Sequence, residues 1–73
     1  MIDLEQAKQI KLDKIAKYLQ DCDNEIKNGV NEGLPIVFVE IPYTWHADVK
    51  NELSNLGFNA ESHTYDSIRI QGW

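Results

Sequence analysis

Between Leu12 and Ile26 the apolar residues fall at Leu12, Ile15, Leu19, Cys22 and Ile26, spaced 3, 4, 3 and 4 apart. That period puts them, with Leu4, on one face of an amphipathic helix. Asp3, ahead of Leu4-Glu5-Gln6, supplies an N-cap with a glutamine three residues on. Asn28-Gly29 supplies a stop, with Gly29 free to take the left-handed C′ conformation and Val30 placed to pack back. The spacing predicts a helix over 4–28, with Asp13–Lys17 and Asp23–Lys27 as pairs one turn apart. Such a helix is about 37 Å long at 1.5 Å per residue. A seven-residue strand spans only about 23 Å. In a chain of 73 residues, this helix outruns any sheet it can pack on, so part of its apolar face needs other cover. Packing on the sheet accounts for most of the stripe, and self-association of the overhang for the remainder. Ile10 lies off the stripe and calls for a second contact.

Asn31-Glu32-Gly33 reads as a turn. A first strand follows over Leu34–Ile41, dense in β-branched residues and closed by Pro42. Ile36 and Phe38 point one way, and Val37, Val39 and Ile41 the other, so both faces are apolar. Either the sheet is covered twice or its second face meets another subunit. Thr44 can cap a second helix whose face carries Trp45, Val49, Leu53 and Leu56, with Gly57 as its C′ residue and Phe58 packing back. Phe58–His63 alternates as a half-exposed strand, and Tyr65-Asp66 or Asp66-Ser67 turns the chain. Ile68–Trp73 returns antiparallel, with Ile68 and Ile70 toward the core and Arg69, Gln71 and Trp73 away from it. The fold class expected is α/β (α+β): a two-layer α-β-α-β-β domain over residues 1–73, with a long N-terminal helix and a three-stranded mixed sheet. The crossover makes the first two strands parallel. The third pairs outside the second or inserts between the two; insertion is favoured because it hides a long apolar edge.

A domain this short buries only about 60% of its unfolded surface. Its core typically supplies roughly 3–5 kcal/mol, which makes a partner subunit a natural source of further stability. Cys22 is the one cysteine, so no internal disulfide forms, which points to a reducing, cytoplasmic compartment. The opening residues lack a signal-peptide pattern, and the apolar run Ile36–Val39 is too short to span a membrane. Net charge is −5: residues 1–17 carry a slight basic excess, and the rest of the chain is acidic. Phosphate backbones are repelled by such a surface, which argues against nucleic-acid binding. Lys8, Lys11, Lys14 and Lys17 recur every three residues and drift around the helix as a solvated surface.

The segments Ile26-Lys27-Asn28-Gly29, Leu53-Ser54-Asn55-Leu56-Gly57-Phe58 and Ile68-Arg69-Ile70-Gln71-Gly72-Trp73 give the chain an overall pattern. It has a first helix ending in glycine, a short helix ending Leu-x-x-x-Gly-aromatic, and a hairpin closing on isoleucine and tryptophan. In this pattern it resembles small phage-encoded α-β-α-β-β proteins, although two residues, not one, separate Ile70 from Trp73. The resemblance implies a phage or prophage setting, with a host-cell cytoplasmic location. It carries over no catalytic or binding residues.

His46 and His63 are the only side chains that suggest acid–base chemistry, and no serine or cysteine motif accompanies either. A zinc site from Cys22, His46 and His63 lacks paired ligand spacing, and no glycine-rich phosphate loop is present. The chain therefore reads as non-enzymatic, without cofactor or metal. Tyr43, Trp45, His46, Tyr65 and Trp73 fall near element ends, and Arg69 shares a strand face with Trp73. Aromatics and arginine dominate binding hot spots and also stack on nucleotide-like ligands. These six are the candidate binding residues, against the plainer reading that Trp45 and Trp73 close the core. The expected function is that of a phage-type accessory protein, a homo-oligomer that engages or sequesters a host protein or small nucleotide-like ligand. A minor virion or assembly component is the alternative.

Overall fold

A computed structural model describes residues 1–73. Helix α1 spans Leu4–Asn31, strand β1 Ile36–Glu40, a single 3₁₀ turn Tyr43–Trp45, helix α2 His46–Asn55, strand β2 Asn59–Thr64 and strand β3 Ser67–Gln71. The sheet order is β1-β3-β2, with β3 antiparallel to both neighbours. The expected α+β architecture and the insertion of β3 are therefore present. The sheet is not mixed: insertion separates the two parallel strands, so every adjacent pair is antiparallel.

At its start α1 is closed by a full capping box, in which Asp3 accepts from the Gln6 amide (2.9 Å) and the Gln6 side chain from the Asp3 amide (3.1 Å). Its end lies later than Gly29. The Gly33 amide donates to the Val30 carbonyl (3.1 Å) and the Leu34 amide to that of Gly29 (2.8 Å). This is a Schellman closure, with Gly33 at φ 76° in the left-handed position that Gly29 was expected to fill. Gly29 instead is buried inside the helix, where a Cβ would collide with Val37 Cγ1. At this position the helix packs directly on the Val37 side chain. Asp23 and Lys27 pair at 3.0 Å, whereas Asp13 accepts from the Gln9 side chain and does not pair with Lys17.

Helix α2 begins at His46, and neither Thr44 nor Trp45 makes a side-chain capping bond. It closes as α1 does, the Gly57 amide donating to Ser54 and the Phe58 amide to Leu53. The β2–β3 turn is Tyr65-Asp66, the first of the two expected alternatives, and β2 carries a bulge between Ser62 and Thr64.

Both helices lie on one face of the sheet. Between them and it sits the core: Cys22, Ile26, Val37, Val39, Ile41, Val49, Leu53, Ile68 and Ile70. Tyr18, Leu19, Trp45, Phe58 and Ala60 pack around it. Leu56, expected on the buried face of α2, is 69% exposed. It is the C-cap residue of α2, in the closing turn beyond the helix proper. The opposite sheet face is open, with Phe38 half-exposed at its centre and the Glu61–Arg69 ion pair beside it. Along α1 every residue from Leu4 to Lys14 except Ala7 is exposed. The molecule is accordingly elongated, 48 × 21 × 17 Å. No helix is long and apolar enough to cross a membrane.

Candidate binding surface

The six candidate residues separate into three places. At the end of the sheet where β1 stops, Pro42 turns the chain outward and the 3₁₀ turn follows. This places Tyr43 flat against Tyr65 of the hairpin turn, with centroids 5.1 Å apart and planes 7° from parallel. Both rings remain largely exposed. His46 lies under Tyr43 at 5.3 Å and is itself buried. Trp45 packs beside Tyr18 of α1 at 6.0 Å. Tyr43, Trp45, His46 and Tyr65 are thus brought to one end of the molecule.

Arg69 occupies the middle of the open face, where it pairs with Glu61 across the β2–β3 ladder. Trp73 lies at the far end of the sheet, edge-on to Phe58 (6.2 Å), and its indole N–H donates to the Leu34 carbonyl (2.8 Å). That bond ties Trp73 to the start of β1, although the residue stays 42% exposed and lies outside the set packed on the core. A single rim containing all six does not form, because β3 carries Arg69 and Trp73 away from the Tyr65 turn.

His46 has a structural role. A carbonyl only accepts, so its Nε2–H donates to the Ile41 carbonyl (2.6 Å). In the neutral ring Nδ1 then accepts from the Ser62 hydroxyl (3.0 Å), whose oxygen also receives a bond from the Lys50 ammonium (3.3 Å). The chain Lys50–Ser62–His46–Ile41 ties α2 and β2 to the end of β1. Sequence inspection missed this serine–histidine contact, since 16 residues separate the pair and no motif marks it. Neither groove of the surface is lined by Ser62.

Phe38 and His63 were also missed as a pair. Their rings lie 4.6 Å apart on the open face, reaching toward each other over β3. Alternation along β2 puts His63 on the same face as Asn59 and Glu61. Cys22 is wholly buried in the core, and burial pushes its thiol up to about 12. Cys22, His46 and His63 stay apart, and no group of three or more histidine, cysteine or acidic side chains is placed to hold a metal ion.

Beside the aromatic end, Tyr18, Glu40, Ile41, Pro42 and Asp66 line a cleft of about 290 Å³. Small-ligand sites typically enclose about 300–1,000 Å³. This cleft is at or below that range, and its two carboxylates disfavour a phosphate-bearing ligand. Compared with protein-family models, curated proteins and solved structures, the chain gives no match to any of the three.

Proposed function

We propose that this is a non-catalytic accessory protein of the small phage-encoded kind, acting in the host cytoplasm as a homo-oligomer that engages or sequesters a host protein. The observation that carries this reading is the bare N-terminal half of α1. There the apolar stripe continues past the domain through Leu4 and Leu12, which are 69% and 59% exposed, with Ile10 also exposed on a neighbouring face. These apolar side chains lie outside the core cluster, and contiguous apolar exposure of this kind marks an interaction surface. A second copy laying its own overhang against the first supplies the cover and frees the aromatic end for a different partner. The buried, unpaired Cys22 suits a reducing compartment. Sedimentation at micromolar concentration tests the reading. It expects a mass greater than one chain that falls on dilution, and a strict monomer at every concentration overturns it.

A further inference from the structure

The sheet order leaves β1 with one free edge. Val37 and Val39 pair with Ile70 and Ile68, and the Ile41 amide donates to the Asp66 carbonyl (2.8 Å). In an antiparallel ladder, the N–H and C=O of one residue point to the same side, and successive residues alternate. Val37, Val39 and Ile41 therefore turn theirs toward β3, and Ile36, Phe38 and Glu40 turn theirs outward with no strand to meet them.

The chain's two sheet edges are treated differently. The outer edge of β2 is interrupted by the bulge, a device that normally discourages strand addition. β1 has no bulge and no lysine, and its sequence Ile-Val-Phe-Val has the highest strand preference in the chain. Between this edge and α1 runs an open groove of about 410 Å³, lined by Asp21, Asn24 and Glu25 from the helix and Phe38, Val39 and Glu40 from the strand. The chain's ion pairs are Lys11–Asp48, Lys27–Asp23 and Arg69–Glu61, so the three carboxylates of the groove are all unpaired.

We propose that the outer edge of β1 takes up an extended basic segment of a partner protein as a fourth strand. This rests on the binding reading above and names the partner's chemistry. Strand addition satisfies the outward N–H and C=O groups of Ile36, Phe38 and Glu40. Side chains of the added strand alternate between two faces. Those on the helix side meet Asp21 and Glu25, which select lysine or arginine. Those on the open side lie beside Phe38, which selects apolar residues on that face. The segment recognised thus alternates basic and apolar residues. A second copy is a poor occupant of this edge, because pairing β1 with β1 brings two sets of the same unpaired carboxylates together.

The test is a titration of the isotopically labelled full chain with an acetylated, amidated peptide, Thr-Lys-Val-Lys-Val-Lys-Thr. The expected result is a shift of the Phe38 and Glu40 amide resonances, with their hydrogen exchange slowed. Binding should weaken by about tenfold or more, about 1.4 kcal/mol, in Glu25→Lys and Asp21→Lys, both exposed positions whose folding is checked by thermal melting. A peptide with prolines in place of both valines keeps its charge and cannot form the ladder, so it should not bind comparably. Equal binding by the proline peptide, shifts confined to α1, or no shift at millimolar peptide would each overturn the proposal. So would movement of the Phe38 and Glu40 amides with protein concentration alone, which would assign the edge to a second copy. Self-association through α1 is read separately, by sedimentation of Leu4→Glu. Failure at the β1 edge therefore leaves the oligomer reading standing, and failure of the oligomer leaves the edge standing.

Discussion

Gly29 and Gly33 are four residues apart and are required for different reasons. At Gly29 the backbone is helical, and the constraint is Val37 Cγ1, the end of a stiff β-branched side chain that has little room to move. At Gly33 nothing lies within 4 Å of an added Cβ, and the constraint is the positive φ of 76°. Gly29→Ala gains about 1 kcal/mol in helix propensity but overpacks the helix–strand contact by about 1–3 kcal/mol. The expected net effect in urea unfolding is a loss, relieved when Val37→Ala is added. Gly33→Ala should lose about 1–2 kcal/mol, with no relief from Val37→Ala. From the sequence, Asn28-Gly29 and Glu32-Gly33 are equally good helix stops, and only a contact eight residues further along the chain distinguishes them. Cys22 was legible in the sequence, because its place on the apolar stripe fixes its burial. With its thiol pushed up to about 12 by desolvation, and further by the neighbouring Asp21, it should react with thiol reagents at pH 8 only as fast as the chain unfolds. Relative to a Cys22→Ala variant, the native state keeps a proton that the unfolded chain releases above about 9. The extra stability from this residue therefore falls as pH rises from about 9 toward 12.

At the scale of elements, the strands were readable from period-2 alternation and the helices from the 3-4 spacing. The insertion of β3 followed from the cost of exposing Ile68 and Ile70. Their complete burial in the central strand bears that out. Ile70→Ala should lower stability by about 2–5 kcal/mol, comparable to the roughly 3–5 kcal/mol a core of this size provides. Leu56→Ala, at a position the helical spacing also marked as core, should change stability by less than about 0.5 kcal/mol. Urea midpoints of the two variants decide between them. Leu56 was misread because spacing gives a face but not where the helix runs out over the sheet. The candidate site was legible only in pieces. Tyr43, His46 and Tyr65 meet because the β1 end and the hairpin turn are neighbours once β3 is central. Arg69 and Trp73 part from them for the same reason. The Phe38–His63 pair and the unpaired β1 edge both depend on strand order, which sets β1 and β2 on either side of β3.

At the scale of the whole molecule, one sheet face, both sheet edges and the apolar residues at the start of α1 are left without partners. The exposed stretch of α1, about 16 Å at 1.5 Å per residue, extends a molecule 48 Å long and has no contact that explains its apolar residues. Leu4→Glu and Leu12→Glu touch none of the core, and a glutamate in the first turn suits the helix N-terminus. Both should leave the unfolding transition of the isolated domain intact while removing the self-association surface. Sedimentation of the wild-type chain and of the double variant Leu4→Glu/Leu12→Glu, at matched micromolar concentrations, tests this most directly. A wild-type mass of at least twice 8.4 kDa, falling to a single chain in the double variant, is the predicted result. A wild-type monomer, or an oligomer that the two glutamates do not disturb, would contradict it.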